Sequence, residues 1–317
     1  LEQWPEVILM GEDIHAPYGG SFKVTGDLSR RFPARVLATP ISEEALAGAA
    51  LGLALGGWRP VLEIMFADFL TLVMDPLFNH AVKHPALHPD QPLPLVIRAP
   101  AGGYRGYGPT HSQSPESLFT AVPGLTVLFP SHRHDVRRLL RNAVTGWDHP
   151  VLFLEHKLSY SLTVDPERYR PLEPRGPDWE QHLERLFPTL VRSAPTPPDV
   201  TLIGWGGMVP LLEEAAARLA TDEELAVEIV LPSRLAPLSR ATLEHHLAGR
   251  ERIVIVEEGP KSFGVGAELT ALLVEGGCRG RIGRVGAPSL PVPAAREMEA
   301  ALLPGVAAIL AAAARLF

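Results

Sequence analysis

Short apolar runs alternate with longer amphipathic stretches along this chain. Residues 7–10 (Val-Ile-Leu-Met) are an unbroken apolar run of strand length, and 60–66, 93–98, 126–129 and 151–155 read the same way. Helical periodicity covers 44–56, where small residues dominate, then 68–83 and 135–144. Continuous apolar strands are expected where both faces of a sheet are covered, and strands separated by helices imply parallel pairing. The second half repeats this logic, with strands predicted at 200–204, 226–231 and 252–256. Helices are predicted there at 209–220, 239–247, 265–275 and 306–316. Between the halves, 165–199 is rich in proline and charge, which suits an exposed connector carrying one short helix at 179–186. The pattern predicts two open α/β domains, 1–160 and 199–317, joined by a linker at 161–198.

Composition narrows the function classes. At 317 residues, 46% hydrophobic and 21% charged, the chain can bury two ordinary cores. A net charge of -7 gives no electrostatic footprint for nucleic acid. The single cysteine, Cys278, cannot close an internal disulfide, so a reducing compartment is expected. The apolar runs at 45–58 and 302–314 are shorter than the roughly 20 residues of a spanning helix and are interrupted by glycine or proline, so no membrane contact is expected. No charged-then-apolar export signal opens the chain. Walker-type loops, CxxC pairs, HExxH and Gly-x-Ser-x-Gly are absent, and no glycine cluster has the GxGxxG context of a dinucleotide site.

Three segments carry chemistry together. They are Thr39-Pro40-Ile41-Ser42-Glu43-Glu44-Ala45-Leu46-Ala47-Gly48, then Arg59-Pro60-Val61-Leu62-Glu63-Ile64-Met65-Phe66-Ala67-Asp68-Phe69, then His111-Ser112-Gln113-Ser114-Pro115-Glu116. With them stand Gly11-Glu12-Asp13, Val256-Glu257-Glu258-Gly259 and Pro291-Val292-Pro293. In order and spacing this set resembles the beta subunit of the thiamine diphosphate-dependent, decarboxylating component of 2-oxo acid dehydrogenase complexes, pyruvate or branched-chain type, within the transketolase group. The resemblance implies a transketolase-like pyrimidine-binding domain followed by a transketolase C-terminal domain. It further implies oxidative decarboxylation of a 2-oxo acid with acyl transfer to lipoamide.

Site roles follow from the resemblance residue by residue. Glu43 would hydrogen-bond a ring nitrogen of the cofactor's aminopyrimidine and favour the imino form that removes the thiazolium proton. A nearly dry pocket suits a carboxyl to that work, because desolvation raises its pKa. Phe69 would lie against the aminopyrimidine face and Met65 beside the same ring. His111 would face the reacting carbonyl and the incoming acyl acceptor, on a glycine-rich loop open to a tethered arm. Asp68 and Glu63 are expected to be structural. His80, His84, His88, His132, His134 and His149 are expected at the surface or as caps, and no catalytic residue is expected in the second domain.

The Gly-Asp-Gly motif that holds the metal and diphosphate in thiamine diphosphate enzymes is absent. The resemblance therefore implies that magnesium sits on an alpha-type partner chain, within a two-plus-two heterotetramer that serves a lipoyl acyltransferase core. It implies a cytoplasmic protein in a bacterium, or the mitochondrial matrix in a eukaryote. The chain departs from the family pattern at Ala121-Val122, where a histidine is usual, and across 85–91. A split transketolase, an acetoin-cleaving homologue and a non-catalytic assembly subunit are the other readings.

Overall fold

The computed structural model describes residues 1–165, 168–195 and 197–317. The first half supplies strands β1 (Val7–Glu12), β2 (Val36–Thr39), β3 (Arg59–Glu63), β4 (Val96–Ala101), β5 (Thr126–Leu128) and β6 (Val151–His156). The connector and second half supply β7 (Arg170–Pro171), β8 (Leu190–Arg192), β9 (Val200–Gly204), β10 (Val227–Leu231), β11 (Arg234–Ala236), β12 (Arg252–Pro260) and β13 (Arg281–Ala287). They form two sheets, ordered β11-β5-β6-β4-β3-β1-β2 and β13-β12-β9-β10-β8-β7.

Within the first sheet β1 to β6 pair in parallel, as continuous apolar runs predict. Residues of both faces are buried: Ile8, Leu62, Ile97 and Leu152 are each 5% exposed or less, as are Val96, Leu128 and Phe153 on the other face. The sheets are nonetheless mixed. The three-residue strand β11 crosses from the second half and pairs antiparallel with β5, while β7 and β8 pair antiparallel at the edge of the second sheet. Such short strands carry no period of their own, and their partners are far away in sequence.

Several predicted elements shift for identifiable reasons. The strand expected at 93–98 lies at Val96–Ala101, because Pro92 and Pro94 offer no N–H to a ladder. The helix expected at 68–83 is broken into a 3-10 segment, Ala67–Val73, a π-type turn, Pro76–Ala81, and a short helix, His84–Leu87. Pro76 and Pro85 each remove a helical donor and clash with the turn before them. The connector is not merely exposed: Leu172 lies buried, and the Asp178–Leu186 helix buries Glu180, Leu183 and Glu184. His132 and His134, expected outside, are buried too. His134 Nδ1 accepts from the Ser131 N–H at 3.1 Å and its Nε2 donates to the Leu231 carbonyl at 3.3 Å; burial pushes its pKa down to about 4.

Residues 296–314 are by length and composition apolar enough to cross a membrane. They break at Leu303–Gly305 into two helices, and Ile309, Ala312 and Ala313 of the second pack into the core beside β12 and β13.

Candidate active site

Glu43, Met65, Phe69 and His111 all stand at the carboxyl edge of the first sheet. Glu12 ends β1, Glu43 follows β2, Met65 to Phe69 follow β3, the loop with His111 follows β4, and His156 ends β6. The strand order reverses direction between β1 and β3. In open parallel sheets ligands bind in the crevice outside the carboxyl ends at such a switch point. Here Glu12 lies on one side of it and Met65 to Phe69 on the other.

Glu43 opens the Glu43–Leu55 helix, where the helix dipole favours a carboxylate. Its neighbour Ser42 makes no side-chain cap; the Ser42 N–H instead donates to Glu12 Oε1 at 3.0 Å. Glu43 is 8% exposed and its carboxylate has no hydrogen-bond partner among the described residues. Glu12, 3% exposed, leaves Oε2 buried without a partner, and burial and then the charge of Glu43 raise its pKa. Two buried carboxyls with unfilled acceptor sites suit a ligand that brings N–H donors, as an aminopyrimidine does.

Phe69 and His111 are brought together. Their ring centroids are 5.3 Å apart at 87°, and Phe66 stands 4.6 Å from the His111 ring at 82°. Phe22 and Tyr107 join Phe66 from other loops at 5.7 and 6.3 Å. Edge-to-face packing of this kind fixes ring orientation. Thr110 Oγ1 lies 2.9 Å from His111 Nδ1, so Nε2 is the nitrogen left for a ligand. Met65 is half-buried on the segment that follows β3. The Glu43–Leu55 helix packs on the Ala67–Val73 segment that carries Phe69. Among the described residues no group of three or more histidine, cysteine or acidic side chains could hold a metal ion.

The loop between β4 and His111 is not an open, yielding stretch. Glu258 Oε1, from β12 of the second sheet, accepts from the Gly103 N–H at 2.6 Å and from Ser114 Oγ at 2.9 Å. Glu299 Oε2 accepts from the Gly106 N–H at 2.7 Å, and Tyr104 Oη donates to the Pro304 carbonyl at 2.7 Å. Glycines here allow close approach: a Cβ on Gly102 would sit 2.1 Å from His156 Nε2, at a φ of +93°. A cavity of about 640 Å³ runs along the other side of the loop, and its rim residues Leu118, Phe263 and Leu290 are exposed.

Beneath the aromatic cluster lies a buried charge network. Arg98, 4% exposed, donates to Glu63 Oε2 at 2.6 Å and to Tyr160 Oη at 2.9 Å, and pairs with Glu155. Burial opposes the charge on Arg98, but Glu155, Tyr160 and Glu63 outweigh it and hold the guanidinium protonated. Arg98→Met is expected to destabilise the protein by about 3–5 kcal/mol, because buried carboxylates lose their counter-charge. A urea midpoint equal to wild type would refute that.

Sequence reasoning left Glu12, Arg98, His156, Lys157, Glu258 and Glu299 without roles. Some signal was present: Glu257-Glu258 interrupts an apolar strand, and charges inside a buried strand require partners. Nothing in the sequence pairs Glu258 with Gly103, 155 positions away.

With the geometry in view, known proteins provide the comparison. The family model described as transketolase, pyrimidine binding domain, matches residues 1–163, and that described as transketolase, C-terminal domain, matches 191–309. The mitochondrial pyruvate dehydrogenase E1 component subunit beta-1 of Arabidopsis thaliana is 33% identical over 98% of this chain and 84% of its own length. The 2-oxoisovalerate dehydrogenase subunit beta of Pseudomonas aeruginosa is 34% identical over 87% of this chain and 79% of its own. The chain belongs to the 2-oxo acid dehydrogenase E1 beta-subunit family. That family is of the thiamine diphosphate-dependent transketolase type. The acetoin:2,6-dichlorophenolindophenol oxidoreductase subunit beta of Cupriavidus necator is 35% identical, over 98% of this chain and 91% of its own. In fold, the chain matches a solved structure titled split gene transketolase, inactive beta4 tetramer, at a TM-score of 0.74 with 20% identity, over 99% and 93% of the two chains.

Proposed function

We propose that this chain is the beta-type half of a thiamine diphosphate-dependent 2-oxo acid dehydrogenase, active with an alpha-type chain and passing its acyl product to lipoamide. The observation that carries the reading is that Glu43, Met65, Phe69 and His111 all stand beyond the carboxyl ends of strands β2, β3 and β4, on the two sides of the switch point of a parallel sheet. Bound thiamine diphosphate supplies the nucleophilic carbon and the electron sink for decarboxylation. Glu43 holds a proton at the pyrimidine end, where burial strengthens its hydrogen bond. Phe69 and Met65 fix the ring by packing. The His111 imidazole, held edge-on by Phe66 and Phe69, exchanges a proton with the reacting carbonyl and its acceptor through Nε2.

The other half of the site is assigned to the partner chain, with magnesium, because this sequence lacks Gly-Asp-Gly. The surface beside Glu43 supports such a neighbour. Ala45, Gly48, Ala49, Gly52 and Leu55 leave one side of the helix exposed yet apolar, and Ile41 just before it is 70% exposed. A Cβ on Gly48 or Gly52 would meet nothing within 4 Å, so nothing inside this chain requires glycine there. A closely packed neighbouring chain would. A two-plus-two heterotetramer serving a lipoyl acyltransferase core is the assembly proposed. Cytoplasm, or mitochondrial matrix in a eukaryote, is the compartment proposed.

A second reading has a specific observation behind it: the Cupriavidus acetoin relative matches as well as the dehydrogenases do. The test is turnover by the chain co-expressed with its alpha-type partner. Cofactor-dependent release of carbon dioxide from pyruvate or 2-oxoisovalerate, with acylation of a lipoyl acceptor, is expected. Cleavage of acetoin without decarboxylation of either acid would replace this reading with the second.

A further inference from the structure

The loop that carries His111 is held by Glu258 and Lys157 as well as by Glu299. Glu258 ties both of its ends, through the Gly103 N–H and Ser114 Oγ, and its second oxygen accepts from His156 Nε2 at 2.7 Å. His156 Nδ1 accepts from the Leu158 N–H, which leaves Nε2 as the donor. The imidazole fills the space left by two glycines: a Cβ on Gly207 would stand 2.4 Å from its Cδ2, as one on Gly102 would stand 2.1 Å from its Nε2. The next residue, Lys157, is 1% exposed and donates from Nζ to the carbonyl of His111 itself. Its ammonium also lies 5.3 Å from the Phe66 ring centre and 5.6 Å from that of Tyr107.

We propose that Lys157 and Glu258, one from each half of the chain, are positioning residues that hold the His111 imidazole in register with Phe66 and Phe69. This rests on the reading of His111 given above. Two lines of physics favour it over a purely structural role. Burying a charge costs stability unless its partners compensate for it, so retaining charge at this place favours specificity of position. Each group also bonds the loop itself, Glu258 at Gly103 and Ser114 on either side of the imidazole and Lys157 at the His111 carbonyl. Glu258 stays ionised although burial opposes its charge, because His156, Gly103 and Ser114 hold the carboxyl below its usual range. Lys157 is pushed down to about 8 by burial, against Asp68, Glu258 and Glu299, so it keeps its proton at neutral pH. Through Glu258 the second domain thereby helps to set the geometry of the site.

Hydrogen–deuterium exchange on the chain assembled with its partner tests this, alongside kinetics of the same samples. In Lys157→Met and Glu258→Gln the amides of residues 103–114 should exchange about tenfold faster or more. kcat for pyruvate or 2-oxoisovalerate should fall by about ten- to hundredfold, with thiamine diphosphate affinity changed less than about threefold. Lys157→Arg should recover much of the loss. Ser114→Ala, a mild trim of the clamp, should give an intermediate loosening even if the charge variants fold poorly. Unchanged exchange in the loop, or cofactor affinity falling in step with kcat, would overturn the proposal. A wild-type assembly that binds cofactor but decarboxylates neither acid would refute the functional reading instead, while the exchange rates would still decide the positioning.

Discussion

Replacing Glu43 with glutamine is expected to lower turnover of the assembled enzyme by roughly 10²–10⁴-fold, the span typical of a lost acid–base group. Glutamine keeps the shape of the side chain, so the Glu43–Leu55 helix and its packing through Leu46, Ala47 and Ala50 should be unaffected. What changes is the ability to hold a proton at the mouth of the β1–β3 crevice. The measurement is kcat with saturating cofactor, paired with a melting curve. A Glu43→Gln enzyme with wild-type turnover would sink the assignment of this residue, and a collapsed melting curve would show the comparison to be unsound, in which case Glu43→Asp should be read instead.

His111→Ala should cut acyl transfer to the lipoyl acceptor by about 10²-fold or more, with a smaller effect on cofactor affinity. The imidazole touches Phe66 and Phe69 edge-on, and its Nδ1 is near Thr110 Oγ1, so only Nε2 is placed to exchange a proton with substrate. Its removal leaves a gap but no unpaired buried charge, so the fold should tolerate it. His111→Asn, which keeps hydrogen bonding near the Nδ1 position but cannot shuttle a proton near neutral pH, should be about as slow as alanine. Recovery of most of the activity in His111→Asn would make the residue a hydrogen-bonding element and not a proton carrier.

How far the sequence could be read depended on the range of each interaction. Strands such as β1 and β6 were legible because a parallel strand covered on both faces is apolar at every position, which a single run of residues displays. Glu43 was legible by a local signal, an acid where a turn enters a small-residue helix, sharpened by the resemblance. Phe69 and His111 were legible only as separate motifs, and their meeting at 5.3 Å depends on how the loops after β3 and β4 fold back. The short strand β11 was out of reach, since its pairing with β5 joins Arg234 to Leu128 across the two halves. The clamp from Glu258 was equally hidden. The loop glycines looked like a licence for movement, yet at Gly102 and Gly103 they permit contact with His156 and Leu303.

A shared active site requires that this chain grip only the pyrimidine end of the cofactor. Calorimetric titration with thiamine diphosphate and magnesium, on the chain alone and on the chain co-expressed with its alpha-type partner, tests it. The prediction is saturable binding in the assembly and none in the chain alone. Binding of equal strength by the isolated chain, or none in a correctly assembled pair, would contradict it.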